Sequence, residues 1–239
     1  MPARPGSAPG LPAKDLVDVR LSDAFASGGC PICAVRARSE RAMLDTIIAE
    51  RVLDIPFRES LERTQGFCRR HVAELVLADR RGPGGILGSS ILYGAMLDRR
   101  LEPMRGALGR RGRSLRTRLA GARKRPPCLA CDQGASAVET ALGRLVARSG
   151  DSAWAEATST APFCLDDLVA LWTVADGAEA FEPIAARQVE RVSALRARLQ
   201  GFVDHSAFDR RHLLEGDEGT AAGEAAELLG GRPDPGTRA

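Results

Sequence analysis

Apolar residues recur along this chain at a spacing of three to four residues, with polar residues between them. One stripe between residues 34 and 53 holds Met43, Leu44, Ile47, Ile48 and Val52. Another near residues 181–202 holds Val189, Val192, Leu195, Leu199 and Phe202. This period is typical of amphipathic helices, and no convincing two-residue alternation of a strand is present. We therefore predict an all-α fold.

Glycine and proline mark where the predicted helices end. Asp54 is expected to cap a short helix, and Gly66 is a natural left-handed terminator for it. The glycines of residues 82–85 and the two prolines at 126–127 separate longer helical stretches. One of these stretches, residues 86–122, is predicted to be a long helical segment in the middle of the chain.

The motif that carries chemistry occurs twice. Its two copies are Cys30, Cys33, Cys68, His71 and Cys128, Cys131, Cys164, Asp167. The offset between the copies is 98 residues for the first pair and 96 residues for the second. All six cysteines of the chain belong to this pattern. We predict two tandem copies of a CxxC–helices–CxxH/D unit, joined by a long basic helical segment.

The repeat suggests an organisation along the chain. We expect a disordered N-terminus over residues 1–13, a first metal-binding helical repeat over 14–82 and the basic connector over 83–125. A second metal-binding helical repeat over 126–214 and an acidic, partly disordered tail over 215–239 follow. The two repeats are expected to pack as one domain.

The residue types in the repeat are metal ligands. A CxxC pair presents two thiolates to one ion, and residues three apart at a helix start share a face. Cys30, Cys33, Cys68 and His71 therefore predict a Cys3His zinc site within the first copy. In the second copy Asp167 is a harder, more easily displaced ligand, which suits zinc or an exchangeable iron of a cluster. The spacing leaves open whether the copies exchange ligands.

Other interpretations of the cysteines are weaker. Buried free cysteines need not recur as CxxC pairs. A thioredoxin-like dithiol belongs beside a βαβ pattern, which is absent here. Metal binding remains, with zinc favoured and an iron–sulfur cluster as the alternative.

The CPIC turn, the GFCRRH segment about 35 residues later and the degenerate second copy resemble an uncharacterised bacterial helical family, a domain of unknown function. The resemblance covers most of the chain. It implies a duplicated metal-site layout, often with His at the position of Asp167, and no known reaction.

Charge and composition narrow the partners. The chain has 239 residues, a net charge of +3 and 4% aromatic residues. Residues 99–125, from Arg99 to Arg125, hold eleven Arg or Lys against the single acid Glu102. Because no aromatics are interleaved for base stacking, we expect this stretch to be a solvated helical face, or to contact the acidic tail or an acidic protein, rather than nucleic acid.

These observations favour a non-enzymatic accessory, regulatory or protein-interaction factor, because no nucleophile–base constellation supports a hydrolase or transferase. The alternative is an iron–sulfur protein for electron transfer or redox sensing. Residues 1–13 lack the apolar run of a signal peptide or membrane anchor, so we expect a cytoplasmic protein without a membrane partner.

Overall fold

The chain is described by a computed structural model that covers residues 10–63, 66–108, 128–206 and 217–230. The regular structure in these ranges is helical and includes no strand, which confirms the all-α prediction. The helices are α1 (Leu16–Phe25), α2 (Pro31–Thr46), α3 (Ile55–Arg63), α4 (Arg69–Arg81), α5 (Leu87–Leu108), α6 (Leu129–Ala147), α7 (Ser152–Thr160), α8 (Leu165–Val174), α9 (Glu182–His205) and α10 (Ala221–Gly230). None of them, within these ranges, has the length and apolar character needed to cross a membrane.

Local signals set several of the helix ends. α2 widens into a π-helical turn, Ile47–Arg51, before the chain reaches Asp54. The Asp54 carboxylate accepts a hydrogen bond from the Phe57 N–H at 3.0 Å, which confirms it as the cap of α3. Gly66 has φ +89°, the left-handed conformation expected of the terminator.

The chain divides into two compact units. The central unit comprises residues 38–136, and the terminal unit comprises residues 1–37 together with 137–239. The boundaries fall inside α2 and α6, so each of these helices contributes residues to both units. The units therefore do not coincide with the two copies of the cysteine motif.

The core of the central unit is built from the apolar stripes predicted for α2, α3 and α4. Leu44, Ile47, Leu61 and Leu75 are buried in it, and the partly buried Met96 packs against the same cluster. α5 packs on both α3 and α4. The burial of Leu44 and Ile47 confirms the stripe predicted along α2.

The core of the terminal unit is larger and centres on one tryptophan. Trp154 is buried, meets the ring of Phe25 edge-on at a centroid distance of 6.1 Å, and donates its indole N–H to the Pro12 carbonyl at 3.0 Å. Phe163 and Leu171 are also buried here. Phe67 and Leu75, which occupy the equivalent positions in the first copy of the repeat, are buried in the central unit.

A buried carboxylate holds α1 in the terminal unit. Asp18 is fully buried and pairs with Arg148, with Arg144 Nη1 3.2 Å away and the Lys14 N–H donating at 2.8 Å. Burial alone would raise the pKa of Asp18, but the hydrogen bonds from Arg148 and the Lys14 N–H outweigh it and lower that pKa.

This ion pair predicts an acid-dependent stability. A carboxylate with a lowered pKa in the folded state stabilises the fold above its unfolded pKa of about 4, by about 1.4 kcal/mol per unit of lowering. The free energy of unfolding should therefore fall as the pH drops below about 4. In Asp18→Asn this part of the pH dependence should disappear, measured by urea unfolding, whereas the exposed control Asp176→Asn should keep it. An unchanged pH dependence in Asp18→Asn would refute the assignment.

Part of the acidic tail has its own partner. Asp217 and Glu224 both bind Arg198 of α9, at 3.2 Å and 2.8 Å. Residues 109–127, which include most of the basic stretch from Arg99 to Arg125, and residues 207–216 and 231–239 lie outside the described residues.

Candidate metal centres

Each copy of the motif contains two pairs of candidate ligands, and each of the four pairs lies at the start of a helix. The carbonyl oxygens of Cys30, Cys68, Cys128 and Cys164 accept the first helical hydrogen bonds of α2, α4, α6 and α8, at 2.9–3.0 Å. The residue three positions later lies in the first turn of the same helix. The CPIC segment, which the sequence predicts to be a turn, is therefore the start of α2 itself. A thiolate at a helix N-terminus is stabilised by the dipole.

The eight motif residues form two clusters. One, the Cys3His cluster, consists of Cys68, His71, Cys128 and Cys131. The other, the Cys3Asp cluster, consists of Cys30, Cys33, Cys164 and Asp167. Within each, the candidate ligand atoms all lie within 4.8 Å of one another, so each cluster could hold a metal ion.

The Cys3His site predicted within the first copy is not formed, because its two ligand pairs lie in different clusters. Each cluster takes its CxxC pair from one copy and its second pair from the other. The boundary between the two units lies inside α2, so Cys30 and Cys33 belong to the terminal unit and Cys68 and His71 belong to the central unit.

In the Cys3His cluster the imidazole is aimed at the sulfurs. His71 Nδ1 lies 3.3 Å from the sulfurs of Cys68 and Cys131 and 3.4 Å from that of Cys128. The Cys68 and Cys131 sulfurs are 3.8 Å apart. A tetrahedral zinc ion with Zn–S of about 2.3 Å would hold two sulfurs about 3.8 Å apart, and a sulfur and a nitrogen about 3.6 Å apart. The measured spacing matches these values within a few tenths of an ångström.

A buried carboxylate stands behind the imidazole. Glu40 of α2 lies 3.3 Å from His71 Nε2 and also pairs with Arg70. The Arg70 guanidinium is 2.9 Å from the same Nε2, and its N–H groups can donate to Glu40. A proton on Nε2 that is donated to Glu40 leaves the lone pair on Nδ1, where the three sulfurs are.

Gly134 of α6 makes room for this carboxylate. A Cβ at position 134 would lie 2.7 Å from both Cγ and Oε1 of Glu40. Such a distance is shorter than van der Waals contact, so a Cβ at residue 134 requires the Glu40 side chain to shift.

The Cys3Asp cluster is built in the same way with a carboxylate at the fourth position. Asp167 Oδ2 lies 3.4, 3.2 and 3.1 Å from the sulfurs of Cys30, Cys33 and Cys164. The Cys33 and Cys164 sulfurs are 3.7 Å apart. The other carboxylate oxygen, Oδ1, accepts a hydrogen bond from Arg36 Nη2 at 2.9 Å.

The sequence matches a family of unknown function, DUF6062, over residues 13–146, which is more than half of the chain. The chain belongs to DUF6062. The DUF6062 match contains every member of the Cys3His cluster but ends before Cys164 and Asp167. No match was found to a curated protein or to a solved structure.

Proton sharing dominates the Cys3His cluster of this DUF6062 protein. Burial raises the pKa of Cys128, but hydrogen bonds from His71 and from backbone N–H groups lower it to about 6. Burial lowers the pKa of His71, yet the hydrogen bonds to Cys128 and Glu40 raise it to about 10. Burial and the charge of Cys128 raise the pKa of Cys131 to about 12.

The Cys3Asp cluster shares protons in the same manner. Hydrogen bonds from Cys164 and Cys33 lower the pKa of Cys30 to about 4, and hydrogen bonds with Cys164 and Cys30 raise the pKa of Cys33. Burial and Cys164 raise the pKa of Asp167. In each cluster, hydrogen bonds donated by neighbouring groups stabilise one cysteine as the thiolate. A divalent cation can take the place of the protons in those hydrogen bonds.

Sequence reasoning missed the residues that hold the ligands in position. Glu40 and Arg36 lie in the polar run RARSER of α2, where no spacing distinguishes them from solvent-exposed charges. Gly134 lies three residues after Cys131, and a glycine inside a predicted helix is the one signal that could have indicated close packing there.

Proposed function

We propose that this DUF6062 protein binds two zinc ions, one at each cluster, and that all eight motif residues are ligands. The observation that carries the proposal is the spacing of the ligand atoms in the Cys3His cluster. Nδ1 and the sulfurs stand at the distances that one tetrahedral ion requires, with Glu40 behind the imidazole. Carboxylate–histidine–metal arrangements of this kind orient the ring and raise its basicity.

The same spacing favours a single ion over an iron–sulfur cluster. Two thiolates on one ion can be at most about 4.6 Å apart, twice a metal–sulfur bond of about 2.3 Å. Thiolates on different irons of a cluster are separated further, because the cluster atoms lie between them. The measured sulfur–sulfur separations of 3.7 and 3.8 Å agree with a single ion.

We propose a non-enzymatic accessory or regulatory role in which the ions stabilise the helical fold. Four protein ligands per ion are typical of structural zinc sites. We further propose that a protein partner with an acidic surface meets the basic stretch from Arg99 to Arg125, in preference to nucleic acid. Two acids of the tail, Asp217 and Glu224, already bind Arg198, which favours an external partner over docking within the chain.

Metal analysis of the full chain tests the proposal. After anaerobic purification without added metal, two zinc ions per chain and a colourless protein are the expected result. Iron with acid-labile sulfide and a broad band near about 400 nm would establish the iron–sulfur alternative. A chain that holds neither zinc nor iron after this purification would refute both.

The two sites should differ in how firmly they hold zinc. A carboxylate is a harder and more easily displaced ligand than imidazole at a thiolate-rich site. We therefore expect a chelator to remove the first ion from the Cys3Asp cluster, several-fold faster than the second. Asp167→His should slow that first phase, and the slower phase should stay unchanged as the control. Equal release from both clusters in the wild-type chain would contradict this prediction.

A further inference from the structure

We propose that the fourth position of the Cys3Asp cluster is exchangeable, such that Asp167 moves to Arg36 and a low-molecular-weight thiolate takes its place. This inference rests on the proposed function, because it requires a metal ion among Cys30, Cys33 and Cys164. It assigns to this cluster a ligand-binding role that the Cys3His cluster does not share.

The carboxylate of Asp167 is divided between two partners. Its Oδ2 faces three sulfurs at 3.1–3.4 Å, while its Oδ1 accepts from Arg36 at 2.9 Å. Arg36 lies three residues after Cys33 on α2, so its guanidinium is anchored beside the cluster. A carboxylate that leaves the metal can make a second, charge-assisted hydrogen bond to the same guanidinium, which offsets part of the lost coordination.

The fourth ligand of the Cys3His cluster has no such alternative. The side chain of His71 is fully buried, and Nε2 faces the buried Glu40 at 3.3 Å. Rotation of the ring would break that contact and turn Nδ1 away from the sulfurs. The fourth ligand can therefore leave the metal in the Cys3Asp cluster but not in the Cys3His cluster, although each cluster is formed from the starts of two helices.

Access to the Cys3Asp cluster is on the side of Arg36. The Arg36 side chain is 38% exposed, whereas that of Asp167 is 3% exposed. Cys33 is partly exposed, and Cys30 and Cys164 are buried. A small ligand would therefore approach along the first turns of α2.

The chemistry of the remaining ligands selects a thiolate. Three sulfurs make a soft site, and a soft sulfur ligand suits it better than a hard carboxylate oxygen. In the exchange, the incoming thiol loses its proton to water, its sulfur bonds to the metal, and the bond from the metal to Asp167 breaks. No electron is transferred. Arg36 receives the displaced carboxylate, so its charge remains paired.

Cobalt substitution makes the exchange visible. The full chain is loaded with Co²⁺, and its thiolate-to-cobalt absorption is followed while 2-mercaptoethanol is added, with bound cobalt measured after dialysis. We expect a saturable spectral change in the wild-type chain with two cobalt ions retained. Asp167→His should abolish the change, and Asp167→Asn should lower the half-saturating concentration at least about tenfold, because an amide is a weaker ligand.

Arg36→Gln separates the role of the guanidinium from that of the metal. It should raise the half-saturating concentration about tenfold, while the exposed control Arg20→Gln leaves it unchanged. The inference fails if wild-type protein holds two ions without a saturable change, if Asp167→His retains the change, or if Arg36→Gln behaves as wild type. A chain that binds no cobalt refutes the proposed function instead, so the two failures are distinguishable.

Discussion

Replacing Cys128 with serine is expected to remove the same metal ion that Cys68→Ser removes, although the two residues belong to different copies of the motif. Both sulfurs lie in the Cys3His cluster. Structural zinc supplies about 10 to 16 kcal/mol of apparent binding free energy, which exceeds the usual stability of a domain. Either substitution should therefore unfold the central unit, observed as loss of one zinc ion and of its cooperative thermal transition.

Double substitutions decide which cysteines share an ion. Cys68→Ser with Cys128→Ser should lose one zinc ion per chain, no more than either single variant. Cys68→Ser with Cys30→Ser should lose two, because these residues lie in different clusters. Grouping within each copy requires the reverse result, with one ion lost from the second pair of variants and two from the first. Metal content thus tests which copies of the motif contribute ligands to each ion, even where a variant folds poorly.

Removal of the Glu40 carboxylate is expected to lower the zinc affinity of the Cys3His cluster by about 10- to 100-fold, the usual effect of losing the partner of a metal-binding histidine. Glu40→Ala leaves the Nε2 proton of His71 without its acceptor. Glu40→Gln, which keeps an acceptor oxygen, should lose less. Competition with a chromophoric chelator measures the affinity, and the Cys3Asp cluster serves as an internal reference.

Gly134 offers a second route to the same effect. Gly134→Ala places a Cβ 2.7 Å from Glu40 and should reduce zinc affinity in the same direction. Gly143→Ala, on the same helix, meets nothing within 4 Å and is a matched control. Unaltered affinity in Gly134→Ala would mean that Glu40 keeps its contact with His71 after the shift, or that this contact does not affect zinc binding.

The helices and the ligands could be predicted because both depend on local patterns. Periodicity located the buried stripe of α2, and the i, i+3 spacing of Cys68 and His71 placed both at one helix start. On α5, Leu97 and Met104 keep the helical register, yet they are 59% and 46% exposed. Periodicity shows that residues share a face, but it does not show what covers that face.

The pairing of the motifs could not be predicted, because it depends on which helix ends meet in three dimensions. Cys30 and Cys128 are interchangeable by local sequence, since each begins a helix with a second cysteine three residues later. The roles of Glu40 and Arg36 depend on the same long-range arrangement. Only after Glu40 is placed beside His71 does its burial identify it as more than a surface charge.

The exchanged grouping also sets an order of events during synthesis on the ribosome. The Cys3His cluster joins residues 57 positions apart, such as His71 and Cys128, and these lie within the span from Cys30 to Asp167, which are 137 positions apart. As the chain is synthesised, the four ligands of the Cys3His cluster are all present before those of the Cys3Asp cluster, so the Cys3His cluster can form before Cys164 and Asp167 are made. At elongation rates of about 5 to 20 residues per second, the ligands of the Cys3Asp cluster are complete within seconds. Under the proposed two-ion function, the nested arrangement lets the Cys3His cluster bind its ion before the ligands of the Cys3Asp cluster are complete.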